Sequence, residues 1–116
     1  MLTERQFSRR TVKWRGSVNS EPIDIRGTSA WKLFVPSTYA GASISVQVYV
    51  ERSVNSNDPV AGEDQIDDWM TYDNGTITLA KGQVMDLSGN NLDGVEKIRF
   101  VSNLSETCTG ELQVST

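Results

Sequence analysis

The chain contains no histidine. That removes the commonest general base, the usual zinc ligand, and every mechanism that pairs serine or cysteine with an imidazole. It contains one cysteine, Cys108, so no intrachain disulfide can form and a disulfide-stapled secreted module is excluded. No apolar run approaches the ~20 residues that a membrane-spanning helix requires. The opening residues Met1-Leu2-Thr3-Glu4-Arg5-Gln6 lack the apolar stretch of a secretory signal. The nearest approach to a phosphate-binding loop, Asp86-Leu87-Ser88-Gly89-Asn90-Asn91, has neither the lysine nor the spacing. What is present suits one globular domain: 116 residues, 37% hydrophobic and 22% charged.

Charge is unevenly placed. The first fifteen residues carry Arg5, Arg9, Arg10, Lys13 and Arg15 against Glu4 alone, a net +4. The whole chain is −4, which leaves −8 for residues 16–116. A basic segment joined to an acidic body points to a partner. Phe7, Val12 and Trp14 lie in the same segment and require something to be buried against, which favours a protein surface over a phosphate backbone. Nucleic acid is further disfavoured because the acidic body repels it everywhere else. Residues 1–16 are therefore expected to form an extended arm. Its partner contacts are expected from Arg5, Phe7, Arg9, Arg10, Lys13, Trp14 and Arg15, with residues 17–116 as the folded domain.

From Gly16 onward the apolar residues alternate. Ile44, Val46, Val48 and Val50 point one way, and Ser43, Ser45, Gln47 and Tyr49 the other, as in a strand with one buried face. The same reading puts Trp31, Leu33 and Val35 on one face, and Ile98 and Phe100 inward with Lys97 and Arg99 outward. Further strands are expected at 23–25, 69–72, 76–79, 84–87, 96–101 and 111–114. Asp73-Asn74-Gly75 reads as a tight hairpin turn, since Asn-Gly tolerates the positive φ that such turns need. No long window holds helical spacing. The expected fold is all-β, an antiparallel two-sheet sandwich of jelly-roll type with a basic N-terminal arm.

Glu51–Asp73 holds seven acidic residues against Arg52 and reads as a long projecting loop. Asp58, Asp64 and Asp67, with Trp69 and Tyr72 beside them, form its candidate ligand-binding set. Adjacent Asp67 and Asp68 point apart on an extended chain, which argues against an acid–base pair. Asn55-Ser56-Asn57-Asp58-Pro59 lacks the calcium-loop pattern, so neither metal nor cofactor is expected. Glu106 beside Cys108 argues against a reactive thiolate. Exposed aromatics beside amides and carboxylates can grip sugars. The competing reading is that Trp31 and Trp69 fill the core.

Three segments carry a resemblance: Ile23-Asp24-Ile25-Arg26-Gly27, Trp31-Lys32-Leu33-Phe34-Val35-Pro36-Ser37, and Ala40-Gly41-Ala42-Ser43-Ile44-Ser45-Val46-Gln47-Val48. With Leu92-Asp93-Gly94 and Lys97–Ser102, they resemble the small β-sandwich virion proteins of tailed bacteriophages over about residues 20–103. Such proteins follow the alternating strand with a Ser-x-Asp-Gly turn and a tryptophan. This chain has Glu51-Arg52-Ser53-Val54 and the acidic stretch instead, with Trp69 as a late equivalent. The resemblance implies a non-enzymatic capsid decoration (cement) protein. Such a protein would bind the major capsid protein on the virion surface, assemble in the host cytoplasm as a trimer, and need no membrane. A tail or neck accessory protein and a carbohydrate-binding module are the alternatives.

Overall fold

A computed structural model describes residues 6–49, 69–78, 82–87, 92 and 95–115. Among these the chain is all β. The strands are β1 (Phe7–Asn19), β2 (Ile23–Asp24), β3 (Ser29–Phe34), β4 (Ser43–Tyr49), β5 (Trp69–Thr78), β6 (Val84–Asp86) and β7 (Lys97–Ser115). They pair antiparallel into one curled sheet of order β5-β4-β7-β3-β6, with β1 and β2 also paired to β7. Ile98 pairs with Val48 and Ile23, and Leu112 with Leu33 and Arg10. One edge of β7 therefore takes β4 and then β3, while its other edge takes β2 and then β1.

Of the segment expected to be an arm, residues 7–16 belong to a strand of this sheet, and residues 1–5 lie outside the described residues. β1 pairs with β7 from Phe7↔Ser115 to Asn19↔Val101. Its alternation explains why: Val12 and Trp14 face inward and are buried, while Arg9, Thr11, Lys13 and Arg15 face out. Burying Trp14 in the chain's own core satisfies the apolar demand that had been assigned to a partner. Gly16, with φ 69°, sits where β1 carries one residue more than β7, between Arg15↔Thr107 and Ser17↔Glu106. This is a bulge of the kind that glycine permits at positive φ.

Three local expectations change for related reasons. Asp73-Asn74-Gly75 does not reverse the chain. β5 continues, and residues 72–75 stand opposite Val46 alone, between Gln47↔Thr71 and Ser45↔Thr76. The turn-prone triplet is absorbed as an irregularity because both flanks pair with the same neighbour. The strands expected at 96–101 and 111–114 are parts of one strand, β7, which begins at Lys97 and in which residues 102–105 bulge out opposite Val18. Trp31 does not share a face with Leu33. It is the extra residue of a bulge between Ala30↔Val114 and Lys32↔Gln113, so Ala30 takes the buried position and Trp31 stays half-exposed.

The core is formed by the inward residues of these strands. Ile44 and Val46 meet Ile98 and Phe100, as the alternation predicts, and Leu33, Leu112 and Val114 continue it beneath β1. Val48 is partly buried at the margin. Ser20 closes the join between β1 and β2. Its N–H donates to the Phe100 carbonyl at 2.8 Å, and its Oγ accepts from the Phe100 N–H at 2.9 Å.

Candidate functional site

The one buried carboxylate of the described core belongs to Glu106. Its Oε1 accepts from Ala40 N–H at 2.7 Å, and its Oε2 from Gly41 N–H and the Ser102 hydroxyl, each at 2.8 Å. Next to it the Asn103 side chain, carried on the 102–105 bulge, accepts from the N–H groups of Ala42 and Ser43 at 2.9 and 3.2 Å. Tyr39 donates to the Ser43 carbonyl at 2.7 Å and stacks edge-on against Trp14 at 5.5 Å. The segment between β3 and β4 is thus tied to β7 by side-chain oxygens, which explains how a charged group survives burial. Burial raises the Tyr39 phenol; a hydrogen bond with Ser102 opposes the rise, and the negative charges of Glu106 and then Cys108 add to it. Burial, and secondarily Glu106, raises the Cys108 thiol, the reverse of an activated nucleophile. Tyr39 is fully buried. Tyr39, Ser102 and Glu106 are buried, while Asn103 ties the Ala42 and Ser43 N–H groups at the surface.

Two outward faces carry the exposed functional chemistry. On the half formed by β1, β7 and β3, Arg9 pairs with Glu111 and lies over the Phe34 ring at 4.9 Å. Phe7 meets Trp31 edge-on at 5.7 Å. Arg15 pairs with Glu21 at 2.8 Å, and Arg10 donates to the Ser8 hydroxyl at 3.0 Å. The grouped segment therefore divides: Arg9, Lys13 and Arg15 face out, Trp14 faces in, and Phe7 covers Trp31. Arg5 lies outside the described residues.

The other face spans β5, β4 and β7. Tyr49 pairs with Trp69 across the strands, their rings meeting edge-on at 5.4 Å. The Arg99 guanidinium lies 4.4 Å over Trp69, and its Nε donates to Gln47 Oε1 at 2.7 Å. The Lys97 ammonium stands 5.5 Å from the Tyr49 ring. Burial lowers Arg99 from its ordinary value, as partial desolvation of a cation must. Trp69 does not fill the core; it is half-exposed on this face, while Tyr72 packs against the core from the opposite side of β5. The two aromatics of the expected ligand set are thus separated by the pleat. Its carboxylates Asp58, Asp64 and Asp67 lie outside the described residues. Gln47, Lys97 and Arg99 were absent from that set, although the strand alternation had already placed all three on an outward face.

Comparison with protein-family models, with curated proteins and with solved structures finds no match.

Proposed function

We propose that this chain is a non-enzymatic structural protein of a tailed-bacteriophage virion: a capsid decoration protein that docks on the major capsid protein and stabilises the shell, in trimeric form. In this reading the curled sheet works as a jelly-roll-like sandwich, with the two halves of β7 running through its two layers. The observation that carries the docking role is the make-up of the outward faces. Half-exposed Trp31, Phe34, Tyr49 and Trp69 stand beside Arg9 and Arg99, and aromatic residues with arginine dominate protein-interface hot spots. The deep polar groups support the same reading, because Glu106 and Ser102 are committed to the chain's own backbone and to each other. The virion assignment itself rests on the sequence resemblance.

Cosedimentation with undecorated tailed-phage shells tests this proposal. The protein is expected in the shell fraction, and Trp31→Ala or Trp69→Ala should release it while leaving the fold intact. A folded protein that stays in the supernatant with every open shell refutes the role. A carbohydrate-binding module is the second reading, favoured by the outward position of Trp69 beside the Gln47 amide. Glycan-array binding that disappears in Trp69→Ala, with no shell binding by the parent, selects it.

A further inference from the structure

We infer that Gln47, Tyr49, Trp69, Lys97 and Arg99 form a receptor for an extended acidic peptide, taking guest carboxylates at alternate positions. Arg99 is held in two ways: its Nε is fixed by Gln47 at 2.7 Å, and its plane rests on Trp69 at 4.4 Å. Among the described residues its terminal nitrogens have no partner. A guanidinium held flat, with its fork unpartnered among the described residues, is already arranged for bidentate carboxylate recognition. The ordering cost is met before the guest arrives.

Lys97 supplies the second cation. It lies two residues before Arg99 on the same face of β7, with its ammonium over Tyr49. Strand rise sets two such positions ~7 Å apart. Carboxylates on alternate residues of an extended guest have the same spacing, so both contacts can form without distorting either chain. Among the described residues no carboxylate pairs with Lys97 or Arg99. Asp24, opposite Lys97, instead accepts from the Arg26 N–H at 2.9 Å. The face thus offers two cations that no carboxylate of the described residues compensates, on an aromatic floor, which is complementary to an acidic guest.

Single-stranded nucleic acid would also present anions at intervals, but it gains its affinity by stacking bases on open rings. Here Trp69 and Tyr49 are covered by the chain's own cations. The inference goes beyond the virion reading and stands whichever assembly the chain belongs to.

Fluorescence anisotropy with a short labelled peptide alternating glutamate and threonine tests it, using the full chain at low salt. The peptide is expected to bind, and the glutamine–threonine version is not. Arg99→Lys, which keeps the charge and loses the fork, should weaken binding at least about fivefold. Arg99→Gln and Lys97→Gln should weaken it more, with unchanged melting temperatures. Raising the salt should weaken the parent and leave less to lose in Lys97→Gln. The inference is overturned by an absence of peptide binding, by equal binding of the glutamine peptide, by indifference to Arg99→Gln, or by tighter binding of oligothymidylate. Shell cosedimentation that survives any of these results leaves the docking role standing without this receptor.

Discussion

Replacing Glu106 provides the sharpest test of how this sheet is held. Its carboxylate receives three hydrogen bonds of 2.7–2.8 Å from Ala40, Gly41 and Ser102, and the residue is 1% exposed. Glu106→Ala removes the acceptor and strands those donors. A buried donor left unsatisfied costs ~1–3 kcal/mol, and partial entry of water into the vacated space sets the total at about 3–5 kcal/mol. For 116 residues, an unfolding entropy of ~2.1 cal/mol/K per residue converts this to a drop of roughly 12–20 °C in melting temperature. Glu106→Gln is the finer probe. If its oxygen faces Gly41 and Ser102, its NH2 confronts the Ala40 N–H; in the flipped rotamer the NH2 confronts Gly41. One donor–donor clash survives either way, so a loss of about 1.5–3 kcal/mol is expected at near-constant volume. Urea unfolding of the three proteins, compared at equal m-value, provides the measurement. A Gln variant within about 0.5 kcal/mol of the parent, a shift typical of neutral surface changes, refutes the cradle as a stabilising device.

Two further expectations follow from β1 and from the buried phenol and thiol. Trp14→Ala should cost ~3–5 kcal/mol in urea unfolding, and deleting residues 1–15 should abolish the cooperative transition; a truncated chain with native circular dichroism and a sharp melt contradicts the strand assignment. Burial raises Tyr39 and Cys108 above their ordinary values of 10.0 and 9.0, so the folded chain keeps protons that the unfolded chain releases. Their stabilisation is complete below about pH 9 and is lost as pH rises through the folded values. The urea midpoint should therefore fall on the alkaline side, less steeply in Tyr39→Phe, and an equal slope in parent and variant removes Tyr39 as the cause.

The sequence made some of this legible and hid the rest for physical reasons. Ser43–Tyr49 declares itself because its inward row is aliphatic and its outward row polar, which already aims Gln47 and Tyr49 at solvent. The middle of β7 is silent because its inward residues are Ser102, Glu106, Cys108 and Gly110. No hydropathy pattern identifies a carboxylate buried by three donors. β1 carried a readable alternation of Val12 and Trp14 with Thr11, Lys13 and Arg15, but its concentrated positive charge pointed outward to a partner. Charge describes the face that stays wet, whereas the spacing of the two apolar residues decides which face is dry. The bulges at Trp31 and at residues 72–75 depend on the partner strand's register, which lies elsewhere in the chain.

The placement of β7 also constrains how the protein is born. Four of the six ladders among the described residues use this strand: β1, β2, β3 and β4 all pair with it, and Phe7 waits for Ser115. Among the described residues, a nascent chain that has not yet extruded residues 97–115 has the β4–β5 and β3–β6 pairings alone to form. Its remaining strand edges stay open, the condition under which β chains mispair with one another. Closing contacts between residues as far apart in sequence as Phe7 and Ser115 is also slow, because the loop entropy must be met before the contacts return anything. Folding is thus expected after synthesis of the last strand rather than during it. Premature stops anywhere before Lys97 should yield insoluble fragments rather than smaller working domains.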